Sequence, residues 1–172
     1  TLITRPRRFG KTLNMSMTEQ FFSLEYAKRD DLFRNLSIWK EEKYQKLQGT
    51  YPVISLSFAK LKETSFVNTR RKICRIIKNL YNHYDFLLSS DKLNEDEKKT
   101  YTDISVDMDD DLATDSLNIL SDYLARYYGK KVIILLDEYD TPMQEAFING
   151  YWNELALFIR NLFNAAFKSN PY

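Results

Sequence analysis

The chain is poor in residues that would make several explanations easy. Cys74 is its one cysteine, which excludes an internal disulfide framework and any cysteine-based zinc site. Cys74 reads as a small apolar residue inside a helix. His83, the one histidine, makes neither a triad nor a metal cluster. Glycine and proline, four of each, are too few for a turn-rich all-β chain or a disordered one. No sign of charge dominates, since the formal net charge is +1, so no global field points to nucleic acid or a membrane. No apolar run reaches the roughly 18 residues of a membrane span, and no secretory signal is visible. A cytoplasmic protein without membrane contact is the expectation. An initiator methionine is missing as well. The chain opens on "TLIT", which reads as the tail of a strand cut off upstream, so a fragment of a longer protein is expected.

What is present suits one compact domain spanning 1–172. The chain has 172 residues, 44% hydrophobic and 15% aromatic, enough to close a sizeable core. After "TLIT", Leu13, Met17, Phe21 and Leu24 recur at helical spacing and predict a helix with one apolar stripe. Residues 25–50 are charged and broken, with Phe33, Leu36, Ile38 and Trp39 packing a short helix or turn. "YPVISLSF" (51–58) alternates Ile54, Leu56 and Phe58 with serines, and Pro52 stands at its start where a strand tolerates it.

A long helix is predicted at about 66–88 through Ile73, Ile77, Leu80, Tyr84 and Leu87. The polar stretch 89–111 reads as a surface excursion. Helical spacing resumes through Leu117, Leu120, Leu124 and Tyr127, and Gly129 is a fitting stop. Val132 to Leu136 is an unbroken apolar run, the mark of a strand buried on both faces of a parallel sheet. A last helix occupies roughly 151–168 through Leu155, Phe158, Leu162 and Ala166. The order strand, helix, strand, helices, strand, helix predicts an α/β fold with a mainly parallel sheet layered by helices. No repeat or linker divides it.

Two segments carry chemistry. "TRPRRFGKT" (4–12) ends like a phosphate-binding loop, though Arg5 stands where such a loop has its first glycine. Gly10 lets the backbone come close to an anion, Lys11 can reach β- and γ-phosphates, and the Thr12 hydroxyl can ligate Mg²⁺. "VIILLDE" supplies the complement: a buried strand ending in Asp137, which would hold the metal, and Glu138, which would orient and polarise an attacking water. Each alone has a plain explanation, as a solvated basic loop and as a strand ending in solvated acids. Both together, in this order with a strand between them, favour a nucleotide site. The Glu beside the Asp favours ATP hydrolysis over transfer to a small-molecule acceptor.

"TRPRRFGKT" followed by "VIILLDEYDTPM" resembles the AAA-ATPase-like family of bacterial and archaeal proteins. Its members share an R-P-R-R-F-G-K-[ST] loop and a hydrophobic strand ending D-E-Y-D-x-P, so the arginine in the loop is a family property. The resemblance covers essentially the whole chain. It implies a P-loop NTPase-like three-layer α/β/α fold, with ATP and Mg²⁺ as cofactors. Arg7, Arg8, Phe9, Gly10, Lys11 and Thr12 are then the nucleotide contacts, Thr12 and Asp137 the metal ligands, and Glu138 the catalytic residue. Arg5, Arg7, Arg8, Tyr139 and Asp140 carry no individually assigned role.

Such proteins usually continue into a domain similar to PD-(D/E)XK nucleases, through which nucleic acid becomes a partner. A homo-oligomer is left open. A strand bearing a polar sensor residue normally lies between the loop strand and the Asp-Glu strand. The chain ends at "FKSNPY" before it, so an incomplete sheet and weak ATPase activity of the fragment are expected.

Other patterns are weaker. Asp107, Asp109 and Asp111 fall at the first, third and fifth positions of a calcium loop. Leu112 and Asn118 stand where that loop needs Gly and Glu, which leaves a solvated acidic segment favouring the next helix N-terminus. "TRRKICRIIKNLYNHY" reads as a solvated basic face over an apolar stripe, with nucleic-acid contact as the sharper alternative. Beside the ATPase, two other classes stay in view: a nucleotide-dependent interaction switch without hydrolysis, and a nucleic-acid-associated module.

Overall fold

The computed structural model describes residues 9–168 and 170–172. The expected strand at 1–4, and with it the expected gap in the sheet, lies outside the described residues, as do Arg5, Arg7 and Arg8. Helix α1 spans Lys11–Phe22. Short 3₁₀ turns at Leu24–Tyr26, Asp30–Leu32 and Ser37–Lys40 follow, then the one-turn helix α2 at Glu42–Gln45. Strand β1 (Val53–Ser57) leads to α3 (Phe66–His83), α4 (Glu95–Asp103) and α5 (Asp110–Tyr128). Strand β2 (Ile133–Asp137) is followed by α6 (Thr141–Asn149) and α7 (Trp152–Phe163).

The fold is α/β. β1 and β2 pair in parallel, in register from Val53 opposite Ile133 to Ser57 opposite Asp137. A parallel pair cannot be joined by a tight turn, and α3, α4 and α5 form the long crossover it requires. Period-2 alternation sends Ile54, Leu56 and Phe58 to one face of β1, where all three are buried. They share a core with Ile73 and Ile77 of α3, Leu120 and Leu124 of α5, and Leu155 of α7. Ser55 points the other way, and its hydroxyl donates to Glu19 Oε2 of α1 at 3.1 Å. α1 therefore lies along the serine face of β1. Three tyrosines sink their rings into the core and keep their hydroxyls bonded to backbone: Tyr81 to Ser116 O (2.7 Å), Tyr84 to Val53 O (2.8 Å) and Tyr101 to Tyr81 O (2.6 Å). Cys74 is fully buried in α3, as a small apolar residue would be.

Four expectations are corrected. Residues 89–111 are not a surface excursion, because they contain α4 and bury Leu93, Tyr101, Ile104 and Met108. A capping box starts that helix: Asn94 accepts from the Glu97 N–H at 2.9 Å, and the Glu97 carboxylate accepts from the Asn94 N–H at 2.8 Å. The acidic composition hid an apolar spacing of three and four residues from Tyr101 to Met108.

In α1 the predicted stripe is half used. Phe21 is buried in edge-to-face contact with Phe22 and Phe33, whereas Leu13 is 65% and Met17 40% exposed. Paired strands lie only about 4.8 Å apart, so two of them offer little surface to the first turns of a helix. For the same reason every residue of β2 is half-buried instead of enclosed on both faces. Tyr127, placed in the apolar stripe of α5, is exposed near the end of that helix. Leu117, Leu120 and Leu124 are buried as the spacing predicts, and Gly129 closes α5 in the left-handed conformation.

Candidate functional site

The start of α1 and the junction of β2 with α6 meet at one end of the sheet. In the first, Gly10 adopts φ 71° and ψ 22°, a left-handed conformation that glycine reaches without steric cost, and forms the N-cap of α1. A Cβ at Gly10 would meet nothing within 4 Å among the described residues. The first helical bond runs from the Asn14 N–H to the Gly10 carbonyl at 2.9 Å, and no side chain of the described residues caps the helix. Among the described residues the amides of its first turn, Lys11, Thr12 and Leu13, meet no acceptor, and they lie at the positive end of the helix dipole. Phe9, just ahead, is 63% exposed.

The second is the end of β2. The Asp137 carbonyl accepts from the Phe58 N–H at 3.0 Å, which extends the ladder one residue past β1 and fixes this strand end. The carboxylate has two partners. Its Oδ1 accepts from the Glu138 N–H at 3.0 Å, and its Oδ2 accepts from the Thr12 hydroxyl at 2.9 Å. Thr12 and Asp137 are 125 residues apart in the chain, and this bond joins the two motifs. Glu138 has φ 53°, the one positive φ among the described residues that is not glycine. Its carbonyl accepts from the Thr141 N–H at 3.1 Å, closing a turn into α6. Its carboxylate Oε2 accepts from the Thr141 hydroxyl at 3.3 Å.

The expected site residues therefore separate into groups. Thr12 and Asp137 are in direct contact, Glu138 adjoins them, and Gly10 and Lys11 begin the helix that carries Thr12. Phe9 stands exposed beside Gly10. Arg7 and Arg8 lie outside the described residues. Tyr139 is exposed, and Asp140 is engaged locally, accepting from the Gln144 side chain at 2.9 Å. Thr141 is the residue that sequence reasoning missed. Its signal was present: a hydroxyl three positions after Glu138 and directly before Pro142, where a helix begins.

The basic run on α3 is largely absorbed by ion pairs. Arg70 meets Asp110 at 2.5 Å, Arg71 meets Asp107 at 3.4 Å, and Lys72 meets Glu63. Asp109 caps α5 by accepting from the Leu112 N–H at 2.8 Å, so this acidic segment serves the helix start. His83 pairs with Glu25 at 2.6 Å beside a cleft of about 280 Å³. That cleft is lined in part by Glu19, Ser55, Ser57 and Asn79, and includes none of Thr12, Asp137 and Glu138.

The donor set at the strand ends suits particular ligands. A hydroxyl and a carboxylate already 2.9 Å apart are hard oxygen donors of the kind Mg²⁺ takes. The uncapped amides of α1 suit a phosphate. Glu138, next to Asp137 in the chain, adds a carboxylate of the kind that can accept a proton from a water. No helix of the described residues is long and apolar enough to cross a membrane. Over residues 1–172 the chain matches the model of the AAA-ATPase-like family, described as predicted AAA-ATPase. No curated protein and no solved structure matches it.

Proposed function

The chain belongs to the AAA-ATPase-like family, and from that premise we propose that it binds ATP with Mg²⁺ and hydrolyses it through Glu138. The observation that supports this reading is the hydrogen bond from Thr12 to Asp137, because a hydroxyl of the first turn of α1 and a strand-end carboxylate 2.9 Å apart could both ligate one metal ion. A P-loop NTPase-like three-layer fold is part of the same reading, supported by a helix that starts at Gly-Lys-Thr and a parallel strand that ends at Asp-Glu.

In this reading Gly10 admits the phosphates to the backbone, and the first amides of α1 and the Lys11 ammonium bind them. Thr12 and Asp137 hold Mg²⁺, which when bound offsets charge on the β- and γ-phosphate oxygens. Glu138 would orient a water toward the γ-phosphate and take its proton on a carboxylate oxygen as the bond to ADP breaks. Arg7, Arg8 and Phe9 belong to the nucleotide contacts. On the family resemblance, the process driven is that of a PD-(D/E)XK nuclease-like domain, and nucleic acid is the partner of that domain.

The test is MgATP binding by calorimetry together with phosphate release, in the wild type, Lys11→Ala and Glu138→Gln. Lys11→Ala should weaken MgATP binding at least about tenfold, a loss of roughly 1.4 kcal/mol. Glu138→Gln should keep the affinity while turnover falls by about 10² or more. Unchanged affinity in Lys11→Ala would overturn the nucleotide site. Tight binding in a wild type that releases no phosphate would leave a nucleotide-dependent switch in place of an ATPase.

A further inference from the structure

We propose that Thr141 is a positioning residue for Glu138, fixing the carboxylate that the hydrolysis reading assigns to the attacking water. The inference rests on that reading. Thr141 is the first residue of α6, one past the N-cap Asp140, so its hydroxyl is not in the position that caps the helix. Here the hydroxyl of Thr141 donates to Oε2 of Glu138 instead, at 3.3 Å. The turn does not need this second bond, because the Thr141 N–H already reaches the Glu138 carbonyl at 3.1 Å.

The backbone of Glu138 is itself unusual. A left-handed φ of 53° at a glutamate persists only where the surroundings over-determine it, and such residues cluster where geometry serves chemistry. Asp137 holds the Glu138 amide from one side at 3.0 Å, and Thr141 holds both the carbonyl and the carboxylate from the other. A glutamate side chain has three torsions, and a tether at its tip removes much of their freedom. Because the bond engages Oε2, it leaves Oε1 to the water. A separation of 3.3 Å is long, as hydrogen bonds of a catalytic group often are before substrate closes the site.

The experiment compares Thr141→Val, which removes the hydroxyl at nearly constant shape, with Thr141→Ser, which keeps it, beside the wild type and Glu138→Gln. Thr141→Val should lower kcat by roughly tenfold to a hundredfold. Its KM, its MgATP affinity by calorimetry and its melting temperature should stay at wild-type values. Thr141→Ser should restore most of kcat. If Thr141→Val does not fold, Thr141→Ala carries the same expectation. Full turnover in Thr141→Val, beside an inactive Glu138→Gln, would overturn the role of Thr141 alone. Equal losses in the Val and Ser variants would overturn it too, because keeping the hydroxyl would then not preserve turnover. Full turnover in Glu138→Gln, or none in the wild type, would bring down the hydrolysis reading and this inference with it.

Discussion

Glu138 offers a test in which stability and activity should move in opposite directions. Its φ of 53° is a conformation that a residue with a Cβ holds at a cost of about 1–2 kcal/mol and that glycine adopts freely. Glu138→Gly and Glu138→Ala remove the same carboxylate and the same bond to Thr141, so their difference isolates the backbone. At an ordinary position glycine would be the less stable of the two by roughly 0.4–1 kcal/mol, through the greater freedom of the unfolded chain. At the midpoints of the two ranges, subtracting that from the relieved strain leaves Glu138→Gly ahead of Glu138→Ala by about 0.8 kcal/mol. For a chain of this length, that is a melting temperature higher by about 1–4 °C. Urea unfolding followed by circular dichroism measures it, provided the denaturant slope is the same in both variants. Both should be inactive, so the wild type would hold a strained residue for function. An alanine variant as stable as the glycine variant would refute the left-handed geometry, and with it the argument for a rigidly set Glu138.

Two further outcomes follow from the same kind of reasoning. Gly49 has φ 63° and a Cβ there would overlap the Ala27 backbone, whereas Gly129 has φ 64° with nothing within 4 Å. Gly49→Ala should cost about 2–4 kcal/mol and Gly129→Ala only about 1, and equal thermal melts for the two would contradict the close approach. The buried phenols set an alkaline limit. Burial, the largest cause in each, raises Tyr81, Tyr84, Tyr101 and Tyr123, with Tyr123 pushed up to about 12. Unfolded tyrosine titrates near 10, so their contribution is fully present below about pH 10 and fades as pH climbs toward and beyond 12. Phenolate absorbance from these residues should therefore appear together with loss of circular dichroism. Ionisation near pH 10 in a folded chain would show that the rings are not sealed.

Periodicity carried most of the architecture. Ile73 and Ile77, Leu120 and Leu124, and Leu155 and Leu162 are buried as their spacing predicts, because a long amphipathic helix has one way to hide its stripe. It failed at α4, where acidic composition outweighed a capping box that was legible at Asn94 and Glu97. It also failed in α1, because a stripe states which side chains would be hidden and says nothing about how wide a sheet waits to hide them. The candidate site was legible as two motifs. That they touch through Thr12 and Asp137 follows only from the parallel pairing of β1 and β2 and the seat of α1 beside them. The hydroxyl of Thr141 was visible three positions after Glu138, but its contact accompanies a positive φ at Glu138 that only a glycine would have announced.

The slender seating of α1 has a consequence for how the site senses its contents. Of twelve residues in that helix Phe21 alone is buried, yet its first turn supplies one side of the contact with Asp137. A ligand that bridges Thr12 and Asp137 therefore does more than fill a space. In the proposed reading it would also hold the first turn of α1 against the end of β2, adding to the single buried anchor at Phe21. Occupancy would then stabilise α1 more than the core formed by α3, α5 and α7.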